Sequence, residues 1–254
     1  MKRIIYVLLA LALILIIGLT FAALRPGDQS QSCMEYYAGM ENPLAAALEW
    51  CQAGEYFSWQ STLPVNAKFE TLNIFHICMG NPKNPAILMI HGYPTSSFDY
   101  ALLFAELSKD YYVCALDTPG YGFSDKPTDG YDYSIFDDAL LVDHYIREIV
   151  ALDEFTLLTH DKGDSVGLVL LQIYQAYSAK PYIIRHHFIT NGNIYLPLAQ
   201  LTSGQKMLLH PLSGPVLSAL MGGSQMAAGM ADTTYTPALP ASEVEALASI
   251  FDYQ

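Results

Sequence analysis

The feature that most constrains this chain is a recurrence. Three short apolar or nearly apolar runs, Ala86–Ile90, Tyr112–Leu116 and Phe155–Thr159, are each followed directly by a polar turn containing Gly. Runs of strand length without polar alternation fit strands buried on both faces. Between them lie segments with helical spacing. Ser96-Ser97-Phe98-Asp99 has the S-x-x-D pattern of a capping box, ahead of a helix to about Leu107. Ser134-Ile135-Phe136-Asp137 repeats that pattern, and Ile135, Ala139, Val142, Ile146 and Ile149 form one apolar stripe. Gly163–Tyr177 reads as a helix, and Leu72–Cys78 and Tyr182–Thr190 read as further strands. Strands alternating with helices predict a doubly wound α/β fold with a mostly parallel sheet. Ligands of such sheets bind at the carboxyl ends of the strands, so the residues just after each strand are the candidates for chemistry.

Those residues are His91-Gly92-Tyr93-Pro94, then Asp117-Thr118-Pro119-Gly120-Tyr121-Gly122-Phe123-Ser124-Asp125-Lys126-Pro127, then His160-Asp161-Lys162-Gly163-Asp164. The three motifs, in this order, resemble the α/β-hydrolase superfamily, and within it the haloalkane dehalogenase and epoxide hydrolase branch. HGYPTSS, GFSDKP, YSIF and HDKGD carry the likeness, over roughly Tyr56 to Tyr195. The resemblance implies that Asp161, flanked by Thr159 and Gly163, sits at the apex of a tight strand-to-helix turn. A carboxylate there implies attack on an sp³ carbon and an alkyl-ester intermediate. The implied substrate is a small apolar molecule bearing a halide or an epoxide oxygen. The backbone N–H groups of Tyr93 and Lys162 would form the oxyanion hole, and His91 would support the HG-x-P turn. No cofactor is implied. Against this stands a plainer reading, in which Asp161 only caps the following helix. Ser165, the nearest hydroxyl, falls inside that helix and is a poor nucleophile.

The chain departs from the branch in several places. The branch usually has Gly on both flanks of the nucleophile and a second Gly next; here Thr159 and Asp164 occupy two of those places. Haloalkane dehalogenases commonly hold the departing halide with a Trp after the nucleophile and often an Asn after the HG; Lys162 and Tyr93 stand there instead. Epoxide hydrolases commonly carry an aromatic after the HG, which Tyr93 matches, and use cap-domain tyrosines. Tyr195 and Tyr235 are conceivable in that role, with ordinary packed aromatics as the simpler reading. The general base is not evident. After Asp161 the chain has only His186, His187 and His210; the first two fall within a strand and the third precedes Pro211. Asn191, which cannot ionise, occupies the first place an orienting acid could stand. The sequence therefore reads as a truncated family member ending inside its cap. The alternative function is a catalytically inactive, membrane-tethered protein of the same fold with a binding role.

The N-terminus carries a separate signal. Residues 4–24 hold no charge, with Lys2-Arg3 before them and Arg25 after. A run this long can span a bilayer as a helix. It reads as an uncleaved signal anchor with its positive flank cytoplasmic and the rest of the chain on the far side. A cleaved signal, giving a secreted or periplasmic protein, is the alternative. The organisation that follows is an anchor over 1–25, a linker and partly helical segment over 26–54, an α/β core over 55–195, and a Met-rich partial cap over 196–254. Cys33 and Cys51 could pair in an oxidising compartment, but two free thiols is the preferred reading; Cys78 and Cys114 read as small buried hydrophobes. The net charge of −13 argues against nucleic acid or an anionic membrane surface as a partner. With 52% hydrophobic residues and only 15% charged, the chain is not disordered in the main. No His or Cys spacing suggests a metal site.

Overall fold

The computed structural model describes Tyr6 and residues 31–69, 71–127, 130–192, 201–234 and 239–253. Six strands form one sheet: β1 (Glu55–Trp59), β2 (Leu72–Met79), β3 (Ala86–Ile90), β4 (Tyr112–Leu116), β5 (Glu154–His160) and β6 (Ile183–Thr190). Their order is β1-β2-β4-β3-β5-β6. The four from β3 to β6 run parallel, whereas β2 is antiparallel to both β1 and β4. The two central strands, β3 and β4, begin and end where their apolar runs do. β1 has no such signature. It is an edge strand of mixed polarity with only Trp59 buried, so it lacks the alternation that marks a half-buried strand.

The helices are α1 (Cys33–Ala38), α2 (Ala45–Ala53), α3 (Ala101–Leu107, entered through a 3₁₀ turn at Ser97–Tyr100), α4 (Ile135–His144, extended by a π turn over Tyr145–Ile149), α5 (Lys162–Ala176), α6 (Ser203–Leu209), α7 (Ser213–Leu220), α8 (Gly223–Thr234) and α9 (Ala241–Tyr253). Strand pleating sends alternate residues to opposite layers. Leu88, Ile90, Cys114 and Leu116 pack with Val142 and Ile146 of α4 and its extension and with Val166 and Leu170 of α5. Met89, Val113 and Ala115 pack the other way, with Trp50 of α2, Phe104 of α3 and Leu247 and Ile250 of α9. Trp50 meets Phe98 and Phe104 edge-on, at centroid distances of 5.8 and 5.1 Å. α9 buries Ala246, Leu247, Ser249 and Ile250, one stripe at helical spacing, so its apolar face is committed to this second layer.

The cysteines correct both sequence readings. Cys33 is disulfide-bonded to Cys51, tying α1 to α2, and Cys78 is bonded to Cys114 across the β2–β4 pair. Register explains the second bridge: Cys78 and Cys114 are direct antiparallel partners, which the sequence alone does not reveal. Among the described residues no helix is long and apolar enough to cross a membrane. Residues 4–24, Tyr6 apart, lie outside the described residues.

Candidate active site

β4, β3 and β5 are neighbours, and their carboxyl ends deliver Asp117, His91 and Asp161 to one edge of the sheet. Asp161 follows β5 directly and is the N-cap of α5, with φ 52° and ψ −116°. A non-glycine residue held at positive φ costs on the order of 1–3 kcal/mol, so the surroundings must enforce it. They do so through two backbone bonds: the Asp161 N–H donates to the Thr190 carbonyl (3.1 Å), and the Asp161 carbonyl accepts from the Asp164 N–H (3.1 Å). Two glycines let the neighbouring loop come close. A Cβ on Gly163 would fall on the Ile90 carbonyl oxygen, and a Cβ on Gly92 would lie 2.7 Å from the Asp161 Cβ.

That approach sets the central geometry. The half-buried Asp161 carboxylate accepts, at the single oxygen Oδ1, hydrogen bonds from the Tyr93 N–H (2.9 Å) and the Lys162 N–H (2.6 Å). Among the described residues none donates to Oδ2. The Lys162 bond is what a helix cap makes. The Tyr93 bond is not, because it comes from a different loop 68 residues away.

Behind this pair, His91 and Asp117 hold the loops. His91 is buried, and its Nε2 accepts from the Thr118 N–H (3.1 Å) while its Nδ1 donates to the Gly92 carbonyl (2.9 Å). Burial drives its pKa down to about 3, so it is neutral and fixed in one tautomer. Asp117 accepts from the Ser97 N–H (2.7 Å) at Oδ1 and from the Phe123 N–H (2.8 Å) at Oδ2, pinning two loops to the end of β4. Its burial raises the carboxyl pKa, and these hydrogen bonds oppose that rise.

The Lys162 side chain is occupied. Its Nζ forms a 2.6 Å ion pair with Asp138 Oδ2 on α4, with only 16% and 5% of the two side chains exposed, and lies 4.3 Å from the Tyr121 ring centroid. Burial raises the Asp138 pKa, and the Lys162 charge pulls it back.

The two departures at the elbow explain each other. The Thr159 hydroxyl donates to Asp164 Oδ1 in the fully buried interior behind the turn. His187 Nε2 lies 2.9 Å from the same hydroxyl, and the Thr190 N–H reaches Asp164 Oδ1 at 3.3 Å. Thr159 and Asp164 thus satisfy one another where small residues were expected. Neither the pair nor the Lys162–Asp138 bridge is visible as a motif. The joint appearance of a hydroxyl and a carboxylate five residues apart, both out of pattern, is the only sequence signal.

Of the residues singled out by sequence, Asp161, Tyr93 and Lys162 are brought together, with His91 directly behind. His187 points to Thr159 rather than into the site. His186 is exposed on the edge strand β6, and exposed His210 closes α6 by accepting from the Leu212 N–H (3.2 Å). Tyr195 and Tyr235 lie outside the described residues.

Comparison with known proteins bears on the fold. Residues 85–184 match the family described as alpha/beta hydrolase fold. LipZ of Mycobacterium tuberculosis is 34% identical over 169 residues, covering 66% of this chain and 57% of LipZ. The mesoderm-specific transcript homolog protein of Homo sapiens is 31% identical over 179 residues, covering 68% of this chain and 50% of that protein. The chain thus spans about half the length of these relatives. Among solved structures, the haloalkane dehalogenase DatA from Agrobacterium tumefaciens C58 superposes with a TM-score of 0.56 at 19% identity, covering 82% of this chain and 65% of DatA. At that identity the likeness is one of fold.

Proposed function

We propose that this chain, which belongs to the α/β-hydrolase superfamily, uses Asp161 as the nucleophile of an epoxide hydrolase-like or haloalkane dehalogenase-like reaction on a small apolar substrate. The observation that carries the reading is the double donation from Tyr93 and Lys162 to one carboxylate oxygen. It leaves Oδ2 for attack on an sp³ carbon. The new C–O bond forms as the epoxide C–O or carbon–halogen bond breaks. An epoxide alkoxide then takes a proton from water, whereas a halide leaves as the anion. The intermediate is an alkyl ester whose carbonyl oxygen, Oδ1, already sits between two N–H donors. Water attack on the ester carbon puts negative charge on that oxygen, where preorganised donors stabilise it. Collapse breaks the ester C–O bond; the leaving alkoxide takes one proton of the attacking water to become the alcohol, and the second proton passes to solvent, or to the hydroxide left by the epoxide step, as the carboxylate is restored.

An epoxide suits the site better than a halide. The Lys162 ammonium is paired with Asp138 and so is not free to hold a departing halide, while Tyr93 is the aromatic that epoxide hydrolases commonly carry after the HG. Residues 4–24 are read as a membrane tether with the domain on the non-cytoplasmic side. Two disulfides in the described residues support that placement, because such bonds persist in oxidising compartments.

The test compares Asp161→Asn with Ser165→Ala on a panel of small epoxides. Asp161→Asn is expected to lower the rate of covalent adduct formation by on the order of 10⁴-fold or more, and Ser165→Ala to leave it within a few-fold. The reverse pattern would overturn the assignment.

A further inference from the structure

The helical hairpin α6–α7 is built unlike the rest of the molecule. No residue of α6 is buried. Met207, Leu209 and Leu212, clustered at the corner between the two helices, are 50%, 68% and 78% exposed, and Leu220 at the end of α7 is 67% exposed. The corner is nonetheless tightly made. The Ser213 hydroxyl donates to the Met207 carbonyl (2.7 Å) and the Gly214 N–H to the His210 carbonyl (2.8 Å), while a Cβ on Gly214 would fall on the Leu208 carbonyl oxygen.

The charge pattern is equally distinct. The chain carries 25 acidic residues, yet residues 165–231 contain none, while Lys180, Arg185 and Lys206 fall within that stretch. The whole-chain charge of −13, which argues against an anionic surface, is carried elsewhere.

The hairpin also ends beside the point where the N-terminal segment enters the domain. Asp252 of α9 accepts from the Gly223 N–H (2.7 Å), three residues beyond the end of α7. The adjacent Tyr253 hydroxyl donates to the Gln31 carbonyl. Gln31 is seven residues from Leu24, a reach of at most about 25 Å. α7, with eight residues, is about 12 Å long.

From these observations we infer that α6–α7 is a membrane-contact element, whose corner leucines enter the interfacial region of the bilayer that holds residues 4–24. The inference rests on the tether reading given above. A tether of that reach keeps the domain close to the bilayer. The absence of acidic residues from the hairpin itself lessens repulsion from anionic headgroups at its corner, and Lys206 and His210 flank the apolar corner where such headgroups would lie.

The test uses the full chain reconstituted in vesicles of phosphatidylcholine with a minority of phosphatidylglycerol, with and without brominated acyl chains. Leu212→Trp places a reporter at the corner, against a background of Trp50 and Trp59 that are only 5% and 4% exposed. Phe136→Trp, at a 59% exposed position on α4, which packs across the sheet from α9, is the control. Alkaline extraction reports separately whether the chain is integral. The expected result is an integral chain in which brominated lipid removes most of the emission added at position 212 and little of that added at 136. An integral chain with equal, weak quenching at both sites would overturn the inference while leaving the tether intact. Blue-shifted but unquenched emission at 212 would mean that protein, a second copy or further polypeptide, covers the corner, and would overturn it as well. Full extraction by alkali would remove the tether reading and this inference with it.

Discussion

At the residue scale, the elbow depends on a few polar groups, each with its partners. Thr159 and Asp164 replace two small residues with one internal hydrogen bond. Thr159→Val leaves a fully buried carboxylate without its main donor, and Asp164→Ala removes the acceptor; each should cost about 1–3 kcal/mol of stability. The double variant should lose less than the sum, with a coupling of about 0.5–3 kcal/mol in urea unfolding. Strict additivity would mean that the two residues do not act as a pair. His91 gives a pH prediction. Its folded pKa of about 3 lies below the ordinary 6.5, so the unfolded chain binds more protons between those values. Its contribution is therefore fully present above about pH 6.5 and is lost as pH falls toward 3. The slope approaches about 1.4 kcal/mol per pH unit. His91→Gln should flatten the dependence of the urea midpoint between pH 6.5 and 5; an unchanged slope would contradict the buried neutral imidazole.

At the element scale, much of the architecture was legible in the sequence. The apolar runs of β3 and β4 marked their strands to the residue, and Asp161 falls in the turn between β5 and α5 as the three motifs implied. β1 was missed because an edge strand of mixed polarity has no alternating pattern. The disulfides were misread because pairing depends on register and on helix packing, neither of which sequence spacing records. The Cys33–Cys51 bridge closes an 18-residue separation and fastens α1 to α2, which in turn cover the layer that holds Trp50 and Phe104. A loop of that size is worth about 3 kcal/mol in the chain-entropy account. The Cys33→Ser/Cys51→Ser double variant should unfold earlier by about that amount, with loss of hydrogen-exchange protection concentrated in residues 33–53. Protection unchanged in that segment would show that packing alone holds it.

At the scale of the whole molecule, the sheet is the scaffold that converges three strand ends on one carboxylate. The fold and the position of the nucleophile candidate were legible because strand-end motifs are local. What was not legible is how the groups around Asp161 are employed: Lys162 directed to Asp138, His187 directed to Thr159, His91 fixed in a single tautomer. These are contacts between distant segments, and they have a chemical consequence. With His91 and His187 both engaged behind the elbow, neither is free to activate water on the ester. Such proton transfer typically contributes about 10²–10⁴-fold. On the reading proposed above, in which Asp161 is the nucleophile, the first chemical step should outrun the second in this chain, and the alkyl ester should accumulate. The central claim is tested most directly by intact-mass measurement of this chain after incubation with small epoxides, followed by peptide mapping. The account predicts a gain of one epoxide equivalent, mapped to Asp161 and absent from Asp161→Asn. Sustained turnover that Asp161→Asn leaves unchanged, or an adduct on any other residue, would contradict it.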